Sequence, residues 1–213
     1  MSNGIDAVFL DKDGTIIEDL PYNVDPDRIR FMPGAENGLQ LLHQAGYRLF
    51  IVTNQSGVAR GYFDEKALRR VEVRLREMMG RSGVPLAGFY YCPHYPEGIV
   101  PAYSGKCTCR KPQPGLIIRA AQEHGIDLFR SWFIGDILND VEAGRRAGCR
   151  TVLINNGKET EWELSQLRLP HHVVSNLEEG ASVITAIKRY QEREEHERFT
   201  AANGDLPSCI VTI

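Results

Sequence analysis

Five short apolar runs, each too brief for a helix and each followed by a stretch of helical periodicity, constrain this chain more than any other feature. They are AVFL (7–10), RLFIV (48–52), GFYY (88–91), SWFI (131–134) and RTVLI (150–154), with a sixth candidate, HVV, at 172–174. None of the first five alternates strictly between apolar and polar residues, the pattern expected of strands covered on both faces. Between them, segment 34–45 places Leu39, Leu42 and Ala45 on one side and stops at Gly46. Segment 64–79 opens with Asp64 as an N-cap, 113–124 sets Leu116, Ile117 and Ala120 at helical spacing, and 139–147 ends at Gly148. A last helix is expected from about Leu177 to Arg198. The tail, 199–213, has no pattern beyond CIVTI and reads either as disordered or as an added edge strand. Strands alternating with helices predict an α/β fold, a Rossmann-like doubly wound parallel sheet with right-handed crossovers. The expected division is one domain over 1–176 and a C-terminal helix and tail, 177–213, of unknown role.

With 213 residues, 42% of them hydrophobic, the chain can bury one sizeable core. A net charge of -3 without a basic cluster argues against nucleic acid or a membrane surface as partner. The first residues lack a charged segment followed by a long apolar one, and no apolar run is long enough for a bilayer. The expectation is a cytoplasmic monomer. Five cysteines without an export signal argue against a disulfide framework.

The first run ends in a crowded pair of carboxylates, Asp11 and Asp13, in VFLDKDGTI. Like charges so close repel, and desolvating either is costly, so a positive partner is required. In an open parallel sheet, ligands bind beyond the carboxyl ends of the strands. Asp11 and Asp13 follow the first run, Thr53 and Asn54 the second, and Asp136 the fourth; Lys111 opens the helix before that strand. Acidic residues of this kind suit Mg²⁺, and a hydroxyl, an amide and an ammonium suit phosphoryl oxygens. An Asp oxygen could then attack phosphorus. Taken singly, DxDG is usually a turn. An EF-hand starting at Asp11 fails because Tyr22 would stand where a bidentate Glu is needed. The joint occurrence, each motif after its own apolar run, carries the argument.

DKDGT, VTNQSG, RKP and GDILND, in this order over residues 6–154, resemble the four-motif signature of the haloacid dehalogenase superfamily of phosphohydrolases. The resemblance implies Asp11 as nucleophile and Asp13 as the acid that protonates the leaving alkoxide and later the base that activates water. It implies that Thr53 and Lys111 hold the phosphoryl group. Mg²⁺ would be bound by Asp11, the Asp13 backbone carbonyl and Asp136, with Asp140 accepting from a metal-bound water.

CPH (92–94) and CTC (107–109) place Cys92, His94, Cys107 and Cys109 in two tight pairs joined by a loop that lacks periodicity. Either these are unrelated residues, or they form a closed tetrahedral Zn²⁺ site that replaces the core such an insert lacks. The family context selects zinc, in a structural role. A zinc loop between the third strand and RKP, on a scaffold without a large cap, resembles two groups: heptose bisphosphate phosphatases and histidinol-phosphate phosphatases. CPHYPEG and the long loop before CTCRKPQPG resemble the heptose group. That likeness implies a small sugar phosphate as substrate, in the route to activated heptose for bacterial surface polysaccharide. It also implies substrate contacts from Asp19, Tyr22, Asn54, Gln55 and Ser56, and a grip by Arg110 on a second phosphate. Leu20-Pro21 stands where His-Gly is expected, and Ile137 where some relatives carry Lys. An inactive binding module on the same scaffold is the alternative from a different class; it need not keep Asp11, Asp13, Thr53, Lys111 and Asp136 together.

The arginines of 69–76 are interleaved with glutamates and read as a solvated helix face, with Arg60, in the loop after NQSG, set apart. His171 and His172 read as surface residues and Trp132 as core.

Overall fold

The computed structural model describes residues 4–157, 159–160 and 162–202; the CIVTI reading lies outside them. Among the described residues six strands form one sheet: β1 (Ala7–Leu10), β2 (Arg48–Asn54), β3 (Leu86–Cys92), β4 (Trp132–Gly135), β5 (Arg150–Ile154) and β6 (His172–Val174). All neighbours are parallel, in the order β3-β2-β1-β4-β5-β6. Five helices accompany them: α1 (Ala35–Gln44), α2 (Glu65–Arg81), α3 (Gly115–His124), α4 (Leu138–Ala147) and α5 (Leu177–Ala202). The strand order reverses direction between β1 and β4, which opens a crevice at their carboxyl ends. Neither the β1–α1 link nor the β3–α3 insert carries a cap domain.

Each face of the sheet buries its own core. Val8, Leu10, Leu49 and Ile51 point to the layer built from Leu39, Leu42, Val71, Leu75, Leu177 and Ile184. Phe9, Phe50, Val52 and Phe133 point to the opposite layer, with Leu116, Ile117, Ala120 and Ala143. Both kinds of side chain in the short β1 are buried, which is why its sequence does not alternate. β3 departs from that expectation. Burial alternates along Leu86–Cys92, because β3 is the sheet edge and one of its faces is only half covered.

The helix boundaries follow local chemistry. The Asp64 carboxylate accepts from the Ala67 N–H at 2.9 Å and starts α2. Gly148, at φ 93°, ends α4. Arg76 pairs with Glu72 on the exposed face of α2, at 2.7 Å. α5 runs four residues beyond the expected end, and its first turns belong to the main core: Leu177, Ala181 and Ile184 are buried. It crosses α1 so closely that a Cβ at Gly38 would lie 2.7 Å from the Leu177 carbonyl oxygen, which accounts for a glycine inside α1. Trp132 is fully buried, as expected. His171 is exposed yet engaged: its Nδ1 accepts from the Thr151 N–H at 2.9 Å, beside β6. No helix among the described residues is long and apolar enough to cross a membrane.

Candidate active site

The carboxyl ends of β1, β2 and β4 deliver the site. Asp11 follows β1 directly, and its N–H bonds the Ile134 carbonyl of β4 at 2.9 Å. Its Oδ1 receives the Lys111 ammonium at 2.5 Å, and the same ammonium reaches Asp140 Oδ1 at 2.6 Å. Asp136, one residue past β4, completes a buried group in which Asp11, Asp136 and Asp140 can each offer an oxygen within 4.8 Å of the others.

The electrostatics of this cluster are unfavourable as it stands. Burial pushes the Asp11 pKa well up against the pull of Lys111, and repulsion from Asp140, Asp136 and Asp13 adds to the rise. Burial, then repulsion from Asp140, raises Asp136 to about 7. Burial opposes the charge on Lys111, but Asp11 and Asp140 outweigh it and hold the lysine protonated. One ammonium against three carboxylates leaves an excess of negative charge, so the donor set fits a hard divalent cation. The Asp13 carboxylate has partners of its own: Lys12 Nζ donates to Oδ1 at 2.7 Å and Gln55 Nε2 to Oδ2 at 3.1 Å.

Gln55 also donates to Thr53 Oγ1 at 3.0 Å, so one amide ties the buried threonine to Asp13. Asn54 holds the Lys111 backbone at both ends, accepting from its N–H at 3.0 Å and donating to its carbonyl at 3.2 Å. Gly14 lies at φ 77°, and a Cβ there would collide with the Asp136 carboxylate, so the turn after Asp13 requires glycine. Asn156, just past β5, donates to the Gly14 carbonyl at 2.8 Å and reaches Asp136 Oδ2 at 3.4 Å. The sequence reading missed Asn156 and Lys12. Asn156 carried a signal, since it follows an apolar run at the same sheet edge. Asp140, expected to accept from a metal-bound water, pairs with Lys111 at 2.6 Å and accepts from the Ile137 N–H at 3.3 Å.

Lys12, Asp13, Asp19, Tyr22, Asn54, Gln55 and Ser56 line a cavity of about 300 Å³ beside this cluster. Tyr22 adopts φ 55°, a left-handed conformation that costs a bulky residue energy, and its ring meets Tyr62 edge-on at 4.7 Å. Arg110 is placed differently from the other expected contacts. Its guanidinium lies 5.2 Å from the Tyr95 ring and donates to the His94 carbonyl at 3.4 Å, with Arg60 stacked on the same ring at 3.9 Å. A larger cleft, about 610 Å³, opens at the opposite edge of the sheet near Asp6, Arg150 and His171. It does not include Asp11, Asp136 or Asp140 and lies at the amino ends of the strands, away from the crevice.

The insert brings Cys92, His94, Cys107 and Cys109 together. Sulfur separations are 3.1, 3.4 and 3.6 Å, and His94 Nδ1 lies 3.4 Å from Cys109 and 3.7 Å from Cys92. These are too long for disulfides and close to the edge of about 3.8 Å that a tetrahedron of roughly 2.3 Å Zn–S bonds requires. Hydrogen bonding within the cluster, from Cys92 first, lowers the Cys109 pKa to about 5. The donor set and spacing fit a structural zinc. The loop docks on the strand ends, with the Ala59 N–H on the Pro93 carbonyl at 3.2 Å and the Val100 N–H on the Ala59 carbonyl at 3.0 Å.

A parallel sheet of this strand order, with buried aspartates and a lysine at its switch point, defines an α/β protein whose site suits a divalent cation and an anionic ligand. Residues 108–180 match the HAD-hydrolase-like family model. D-glycero-beta-D-manno-heptose-1,7-bisphosphate 7-phosphatase of Photorhabdus laumondii is 40% identical over 190 residues, covering 89% of this chain and 100% of that protein. The Haemophilus ducreyi protein of the same name is 45% identical, over 73% of this chain and 86% of its own. Among solved structures, D,D-heptose 1,7-bisphosphate phosphatase from B. bronchiseptica, complexed with magnesium and phosphate, is 30% identical at a TM-score of 0.72, covering 84% of this chain and 98% of that one. The chain belongs to the haloacid dehalogenase superfamily, among the heptose-1,7-bisphosphate 7-phosphatases, and is a phosphoric monoester hydrolase.

Proposed function

We propose that this chain removes the 7-phosphate of a D-glycero-D-manno-heptose 1,7-bisphosphate through an aspartyl-phosphate on Asp11, in the presence of Mg²⁺. The observation that carries the reading is the buried Asp11 carboxylate, held by Lys111 at 2.5 Å beside Asp136 and Asp140 at the switch point. Asp11 attacks phosphorus, the ester P–O bond breaks, and Asp13 gives its proton to the leaving oxygen. Asp13 then takes a proton from water, which attacks the same phosphorus and frees Asp11 with release of phosphate. Thr53 and Lys111 donate to the phosphoryl oxygens. Asp11, Asp136 and the Asp13 carbonyl would hold the cation, which supplies neutralising charge to the carboxylates and the phosphoryl group.

Asp19, Tyr22, Asn54, Gln55 and Ser56 would contact the sugar, and Arg110, beside Tyr95, the distal phosphate. Cys92, His94, Cys107 and Cys109 would hold a structural Zn²⁺. In this reading 1–176 is the phosphatase domain, braced by α5, and the protein acts as a cytoplasmic monomer on a small molecule, without nucleic acid or membrane. The test is phosphate release from a panel of sugar phosphates and histidinol phosphate, with and without Mg²⁺, by wild type and Asp11→Asn. Heptose bisphosphate should lead in kcat/KM, and Asp11→Asn should retain the fold and lose turnover. A fully active Asp11→Asn removes the mechanism; preference for histidinol phosphate removes the substrate assignment.

A further inference from the structure

Lys12 is a buried ammonium to which the mechanism above gives no work. Its side chain is 2% exposed, and among the described residues its ammonium contacts Asp13 Oδ1 at 2.7 Å. An ammonium carries three donors, and a buried one costs free energy unless its donors are used. Lys12 lines the 300 Å³ cavity together with Asp13, Asp19, Gln55 and Ser56. The local turn does not need the ion pair, because the Lys12 carbonyl already closes it by accepting from the Ile16 and Ile17 N–H groups, each at 3.0 Å.

The other Asp13 oxygen is held by Gln55 at 3.1 Å. Asp13 is therefore gripped on both oxygens, at the boundary between the Asp11–Lys111 pair and the cavity. A group that first protonates a leaving oxygen and then deprotonates water must present one orientation in both steps. From these contacts we propose that Lys12 is a positioning and substrate-binding residue, which fixes the Asp13 carboxylate and uses its remaining N–H donors on hydroxyl or ester oxygens of a polyhydroxylated leaving group. The inference rests on the reading of Asp13 as the acid and base.

The experiment compares wild type, Lys12→Met and Lys12→Arg on two esters: the sugar phosphate turned over best, and p-nitrophenyl phosphate, whose leaving group departs without a proton. Lys12→Met should lower kcat/KM about 100-fold on the sugar phosphate and less than about 10-fold on the aryl ester. Lys12→Arg should recover most of the sugar-phosphate rate. In an Asp13→Ala background, Lys12→Met should cost about 10-fold or less rather than about 100-fold, because the Asp13 partner is gone and only the contact with the substrate oxygens remains. Equal losses on both esters, no loss, or an undiminished loss in the Asp13→Ala background would each overturn the proposal. Where Lys12→Met fails to fold, Lys12→Gln carries the same comparison. Wild-type turnover and its collapse in Asp11→Asn, read alongside, separate a failure of the phosphatase reading from a failure of the Lys12 assignment.

Discussion

Lys111→Met places a neutral side chain of similar length where an ammonium lies 2.5 Å from Asp11 Oδ1 and 2.6 Å from Asp140 Oδ1. The three side chains are 2%, 10% and 0% exposed, so solvent screens these contacts little. At an effective dielectric of about 20, each contact carries roughly 6 kcal/mol of gross attraction. Desolvation of the ammonium and of the carboxylates cancels much of it. Removing one member of a buried ion group costs roughly 3–5 kcal/mol, mainly because the charges left behind are uncompensated. Here those charges are Asp11, Asp140 and the adjacent Asp136. At roughly 2–4 °C per kcal/mol for a chain of this size, Tm in magnesium-free buffer should fall by about 6–20 °C. Magnesium offers positive charge to the same carboxylates, so it should stabilise Lys111→Met more than wild type. Urea unfolding and scanning calorimetry, each with and without saturating Mg²⁺, read both quantities. A variant within about 1 kcal/mol of wild type without magnesium, or one that magnesium stabilises no more than wild type, refutes the reasoning.

Three further outcomes follow from the same geometry. Burial, followed by repulsion from Asp140, raises the Asp136 pKa from 3.8 to about 7, so its protonation stabilises the magnesium-free fold fully below about pH 3.8 and is lost as pH rises through about 7. Magnesium binding at pH 6 should therefore release protons, and its affinity should weaken as pH falls; calorimetry in buffers of unlike ionisation enthalpy that detects no release sinks this. Purified protein should carry one zinc per chain by elemental analysis, and Cys107→Ser should lose it together with stability, whereas a zinc-free chain with an unchanged unfolding midpoint contradicts the assignment. Asn156→Ala removes donors to the Gly14 carbonyl and Asp136, and at about 1 kcal/mol for such a bond should weaken Mg²⁺ binding roughly fivefold by calorimetry; an unchanged affinity leaves Asn156 without that role.

What could be read from the chain alone was whatever local chemistry encodes. The apolar runs, Asp64 as an N-cap and Gly148 as a stop placed the strands and helices to within a few residues. The rule that parallel sheets bind ligands at their carboxyl ends placed Asp11, Thr53 and Asp136 at one edge. The tight CPH and CTC pairs were visible because each lies within three consecutive residues. Other assignments depended on partners far away in sequence. Asn54 proved to hold the Lys111 backbone, 57 residues on, and Asn156 to reach Gly14, 142 residues back. Nothing near either asparagine specifies that partner; the order β3-β2-β1-β4-β5-β6 does, by bringing their strand ends side by side. Periodicity reports which face a residue occupies, so the sequence by itself determined the elements and the edge where the site lies. Only the tertiary structure decided which donor meets which carboxylate, and that Lys12 is buried against Asp13, because hydrogen bonds form over about 3 Å and the pairing rests on packing that no local pattern records.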